Sequence, residues 1–187
     1  MAQLGATATA VRTDVAVMTS LDALFDTIRQ RSGTIDVLVA NAASGNLEPL
    51  GAISEEPFDN TFRVNVKGTL FTVQKTLPLL SDGAAVVPTG SSTSAKGSPA
   101  FSIYSVTKAA IRALARGWII DLKRRNIRVN VLAPGPTETP GLLGLIAPVH
   151  QQAMLDDMAA QVPLGRVGRP EEIAKAARSW HPTPPAS

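Results

Sequence analysis

Three short, almost wholly apolar runs set the limits on what this chain can become. They are Ile35-Asp36-Val37-Leu38-Val39-Ala40, Ala84-Ala85-Val86-Val87 and Ile127-Arg128-Val129-Asn130-Val131-Leu132-Ala133. Between them apolar residues recur at helical spacing. Leu21, Leu24, Phe25 and Ile28 predict a helix over about 20–31, stopped by Gly33. Ser54 with Glu55 and Glu56 predicts a capped helix start. Its apolar positions continue through Phe58, Phe62, Val66, Leu70 and Val73 toward Pro78. Further helices are predicted over about 103–125, over about 151–161, and from Pro170. Ala8 to Val11 reads as another short strand. Apolar strands separated by helices predict an α/β fold, a parallel sheet with helices on both faces.

Composition narrows the chemistry. The 187 residues include no cysteine, which excludes disulfides, Cys-bound zinc, iron–sulfur clusters and thiol nucleophiles. His150 and His181 stand far apart, so no metal site is expected. Hydrophobic residues make up 44% and charged ones 18%, which excludes wholesale disorder. The net charge of +3 invites a nucleic-acid reading. However, the densest cationic run, Lys123-Arg124-Arg125 with Arg128, falls at the end of a predicted helix, where cations complement the dipole. Neither a nucleic-acid nor a membrane partner is expected. The stretch from Met1 to Arg12 lacks the pattern of a secretory signal, so the cytoplasm is the expected location. The stretch Gly90 to Gly97 mimics a phosphate-binding loop, but Ala95 and Gly97 stand where that loop needs Gly and Ser/Thr.

Only one tyrosine is present, Tyr104, and Lys108 follows it four residues on, one helical turn away. An ammonium beside a phenol favours the phenolate and prepares it for acid–base work. Alone the pair is unspecific. Ser91, Asn41 and the Pro134-Gly135-Pro136-Thr137-Glu138-Thr139 segment each follow a predicted strand. In a parallel sheet those C-terminal strand ends form the ligand crevice.

In order along the chain, these pieces resemble the short-chain dehydrogenase/reductase family. Asp14-Val15 resembles its acidic dipeptide at the adenine end, and Ala40-Asn41-Ala42-Ala43 its Asn-Asn-Ala-Gly motif. Asn65-Val66-Lys67-Gly68 is similar to the segment that supplies a catalytic Asn. Ser91 falls at the serine spacing, and Tyr104 with Lys108 forms Tyr-x-x-x-Lys. Asn130 through Pro134-Gly135 and Thr139 resembles the segment that meets nicotinamide, and Pro163 to Ala174 the approach to the C-terminal helix.

The resemblance implies a Rossmann-type doubly wound sheet and an NAD or NADP cofactor. It implies a small alcohol or carbonyl substrate and a homo-oligomer, dimer or tetramer. Tyr104 would move the proton, Lys108 would lower its pKa and hold ribose, Ser91 would polarise the carbonyl, and Asn65 would anchor a water relay. Asp14, Val15, Asn41, Ala42, Tyr104, Lys108, Pro134, Gly135, Thr137 and Thr139 would line the cofactor.

Departures qualify the resemblance. Ala40 and Ala43 replace Asn and Gly of the second motif, and no Gly-x-Gly-x-x-Gly turn occurs. The expected fold is therefore incomplete, lacking the first βαβ unit, which needs roughly 30 or more residues, and the last strand. With strand order 3-2-1-4-5-6, the Ala8–Val11 strand loses its neighbours, and the 35–40 strand has a bare, aggregation-prone edge. The partial catalytic domain is expected over 1–177. The tail 178–187 carries Pro182, Pro184 and Pro185 and departs from the family, as a reading-frame change near Ala177 would produce. The alternative expectation is a non-catalytic truncated remnant that keeps only its helix-mediated oligomer surface.

Overall fold

The structure is a computed structural model and describes residues 8–180. The expectations for Met1 to Thr7 and for the tail from His181 lie outside these residues. Helix α1 spans Met18–Arg31 and leads to strand β1, Ile35–Ala40. Helix α2, Glu55–Phe62, passes through a π-helical segment, Arg63–Gly68, into α3, Thr69–Thr76. Strand β2 covers Leu80–Pro88, α4 Ser102–Leu122 and β3 Arg128–Val129. Short α5, Pro140–Leu143, then α6, Gln151–Ala160, and α7, Pro170–Arg178, complete the order.

The strands form one parallel sheet, as the apolar runs predict, in the order β1-β2-β3. Val86 and Val87 of the middle strand have no exposure at all. On one face Val86 and Val129 pack with Val73, Ala115 and Leu122. A second cluster of Leu21, Phe25 and Leu79 joins α1 to the start of β2.

Two expectations change. Residues 8–11 form no strand among the described residues, because none of the described strands lies beside them to accept a ladder. Instead Arg31 donates to the Thr9 hydroxyl from the end of α1. The predicted 127–133 strand shortens to Arg128–Val129, with an isolated bridge at Leu132. Pro88 supplies the reason. Its carbonyl accepts the Leu132 N–H at 3.1 Å, but it has no N–H to return, so the ladder lapses around Asn130. Ser54 holds the N-cap position of α2 as predicted, without a side-chain cap bond.

The cationic run has a structural task. Arg125 donates to the carbonyls of Leu77 and Leu80 and pairs with Asp82 at 2.9 Å, tying the end of α4 to the start of β2. Among the described residues no helix is long and apolar enough to cross a membrane. No cluster of metal-ligating side chains occurs among them either.

Candidate active site

Ser91, Tyr104, Lys108 and Asn65 converge beyond the C-terminal ends of β1 and β2. Ser91 opens the loop after β2. Its hydroxyl oxygen accepts from the Thr93 N–H at 3.2 Å and the Thr93 hydroxyl at 3.0 Å. Tyr104 and Lys108 lie one turn apart on α4. The Lys108 ammonium is buried, donates to the Thr89 carbonyl at 2.8 Å, and lies 5.4 Å from the Tyr104 ring centroid.

Burial pushes Lys108 down to about 8, because a low-dielectric site penalises the cation. Burial also raises the Tyr104 phenol above its ordinary value, and a hydrogen bond from Ser91 pulls it back in part. This corrects one expectation: the Tyr104 phenol lies above its ordinary value, not below it. The ammonium is engaged by the Thr89 carbonyl and is itself weakened by burial.

Asn65 sits in the π-helical segment with about 1% exposure. Its amide donates to the Ser44 carbonyl at 2.8 Å and to the Thr107 hydroxyl at 3.0 Å, and its oxygen accepts the Ser44 N–H at 2.8 Å. Thr107 in turn donates to the Tyr104 carbonyl at 2.7 Å. Asn65 therefore straps the loop after β1 to the helix that carries the tyrosine. The sequence reading missed Thr107 and Ser44, since a lone hydroxyl carries no periodic signal. Gly68, from the same segment, leaves room for Val15: a Cβ there would meet Val15 Cγ2 at 2.9 Å.

The expected cofactor residues divide. Val15, Asn41 and Ala42 meet, with Thr69 and Thr72, in a groove of about 360 Å³ along the outer side of β1. The Asp14 carboxylate instead accepts the Ala16 N–H at 2.8 Å and closes a turn before α1. The Pro134 carbonyl accepts the Ser92 N–H at 2.9 Å, which draws the segment after β3 against the serine loop. The Thr137 hydroxyl donates to the Gly135 carbonyl at 3.1 Å, and the Thr139 oxygen caps α5 by accepting the Leu142 N–H at 3.1 Å. A larger depression, about 550 Å³, lies at α7 between Arg166, Arg169, Glu171, Glu172 and Lys175, and holds none of these groups.

The family model described as Enoyl-(Acyl carrier protein) reductase matches residues 1–179. Oxidoreductase asL5 of Sarocladium schorii is 38% identical over 182 residues, covering 94% of this chain and 70% of that one. Sorbitol dehydrogenase of Cereibacter sphaeroides is 32% identical over 181 residues, covering 92% of this chain and 71% of its own length. Among solved structures, a short chain dehydrogenase of Burkholderia cenocepacia in complex with NADP superposes with a TM-score of 0.80 at 26% identity. It covers 92% of this chain and 69% of that one. A short-chain dehydrogenase/reductase of Serratia marcescens gives a TM-score of 0.86 at 25% identity, over 96% of this chain and 71% of its own. Family model, relatives and fold agree, and the chain belongs to the short-chain dehydrogenase/reductase family of oxidoreductases.

Proposed function

We propose that this chain interconverts an alcohol and a carbonyl with Tyr104 as the general acid and base. The observation that carries it is the meeting of Tyr104, Ser91 and Lys108 at the strand ends, with the sole tyrosine half-buried beside Ser91 and the buried Lys108 ammonium 5.4 Å from its ring. Ser91 orients the substrate oxygen and offers it a hydrogen bond as negative charge develops there. Tyr104 gives that oxygen a proton in reduction and removes one in oxidation. Lys108 faces the strand ends with its ammonium and would hold a ribose hydroxyl. Asn65 keeps the loop after β1 in place. The second lone pair of its amide oxygen is the acceptor left for a water that resupplies the proton.

The groove lined by Val15, Asn41 and Ala42 beside β1 suits a flat, partly apolar ligand such as the adenosine part of NAD or NADP. The segment Pro134, Gly135, Thr137 and Thr139, and the turn at Asp14, would complete its surroundings. When bound, the nicotinamide supplies or accepts the hydride. The NADP-bound neighbour supports this cofactor class without choosing between the two. Exposed Phe58 of α2 with Val106, Ile119 and Ile120 of α4 supports self-association through these helices as a dimer or tetramer.

A second reading is favoured by the sequence itself, which contains no Gly-rich turn to seat a pyrophosphate. On that reading the chain is a non-catalytic remnant that keeps only the helix surface. Titration with reduced cofactor, followed by nicotinamide fluorescence, separates the two. Binding supports the enzyme, and no binding at millimolar cofactor defeats it. In an active chain Tyr104→Phe should lower turnover by about 100-fold or more with an unchanged far-UV circular dichroism spectrum. Wild-type turnover in that variant would remove Tyr104 from the chemistry.

A further inference from the structure

We propose that Phe101 and Gly45 form a seat that fixes the plane of the Tyr104 ring, making Phe101 a positioning residue for the phenol. The proposal rests on Tyr104 being the reacting group. The Phe101 ring stacks on the Tyr104 ring, with centroids 4.4 Å apart and planes 20° from parallel. Along the Cδ2 edge of the same ring lies the backbone of Gly45. A Cβ at Gly45 would stand 2.8 Å from Cδ2 and 3.5 Å from both Cγ and Cε2. One face and one edge of the ring are therefore occupied.

Both walls are fixed independently of the ring. Gly45 follows Ser44, whose N–H and C=O are both held by Asn65. A few residues on, the Glu48 N–H donates to the Ala100 carbonyl at 2.7 Å. Ala100 takes the left-handed conformation, φ 57°, which turns the chain into the start of α4. Phe101 follows it, and its carbonyl accepts the Ser105 N–H at 3.0 Å and the Ser105 hydroxyl at 2.8 Å. A loop from β1 and the first turn of α4 thus close on each other around the tyrosine.

The ring plane matters for the chemistry. Conjugation keeps a phenol's O–H and its in-plane lone pair in the plane of the ring. A wall on one face resists rotation about Cβ–Cγ, which would sweep the ring edges through it, and a wall along one edge resists sideways swing of the side chain. With both in place, the directions in which Tyr104 gives and takes a proton are set before substrate arrives, which is where positioning lowers a barrier.

Because Tyr104 is the chain's only tyrosine, 3-fluorotyrosine labels it alone. In the cofactor-free chain, fluorine NMR should show two resonances, one for fluorine on each ring edge, with no exchange between them. Phe101→Ala should merge them, and Phe101→Trp, which keeps a flat ring, should restore them. A single averaged line in the wild type, or two lines persisting in Phe101→Ala, overturns the seat. If Phe101→Ala does not fold, Gly45→Ala takes its place: the added methyl should shift the resonances, and an unchanged spectrum overturns the proposal. In an active chain, Phe101→Ala should lower kcat about tenfold with little change in KM, and Phe101→Trp should recover it. An effect on KM alone overturns the positioning role. A wild type with two resonances and no turnover would support the seat while failing the oxidoreductase reading.

Discussion

Lys108 shows how much a single residue here is set by its surroundings. It is a nearly unexposed cation whose one hydrogen-bond acceptor is the Thr89 carbonyl. Between about 8, its folded value, and its ordinary 10.5, the folded chain binds fewer protons than the unfolded chain. Stability therefore rises with pH across that window, and below it the folded state carries a cost of roughly 3 kcal/mol. Replacing the cation should remove that cost and forfeit one hydrogen bond, worth about 1 kcal/mol. Lys108→Met is expected to stabilise the fold by about 2 kcal/mol at neutral pH, with the gain shrinking as pH rises through about 8. Urea unfolding of both chains at neutral and mildly alkaline pH checks this. A destabilised Met variant at neutral pH would show that Lys108 is held more favourably than its burial implies. The Tyr104–Lys108 spacing was legible in the sequence, but the engagement of the ammonium by Thr89 was not. That contact depends on how close the end of β2 comes to α4, which spacing along one helix does not encode.

At the scale of elements, the run from α2 through α3 is the instructive case. Its apolar positions from Phe58 to Val73 predict one continuous helix, and one continuous helical rod is present. The π-helical segment Arg63–Gly68 inside it carries no signal in that periodicity. It puts Asn65 against the loop after β1 and Gly68 against Val15. Such local widening of a helix is common where a side chain is needed at a functional site. Gly68→Ala should push the Val15 turn away and cost about 1–3 kcal/mol, since the new Cβ would also stand 3.2 Å from the Val15 carbonyl. Gly117→Ala, on the exposed side of α4 with nothing within 4 Å of its Cβ, should instead stabilise by about 0.5–1 kcal/mol. Thermal unfolding of the two variants decides the matter, and equal effects would refute the close packing at Gly68. The end of β3 makes the complementary point. The strand was legible as an apolar run, but its early end reflects a proline on a different strand, which becomes its neighbour only in the sheet.

For the whole molecule, the sheet is the organising fact. β1 pairs with β2 on one side, and among the described residues its other edge has no partner. Val39 on that strand is 47% exposed, and Val37 and Leu38 line the adjoining groove. An apolar edge of this kind templates further strand pairing. The 187-residue chain on its own should therefore scatter light at rising concentration, and Val39→Lys should reduce this without lowering the melting temperature. Unchanged scattering would place the cause elsewhere. The sequence alone determined the α/β class, the parallel sheet, the main helices and the ordered motif set. Those are properties of local periodicity and of residue types at fixed spacing, which act before any long-range contact forms. Only the tertiary structure decided that residues 8–11 stay unpaired, that Asn65 reaches Ser44 and Thr107, and that burial raises Tyr104 while Phe101 and Gly45 enclose its ring. Each of these depends on which distant segments become neighbours, and on how much water remains between them.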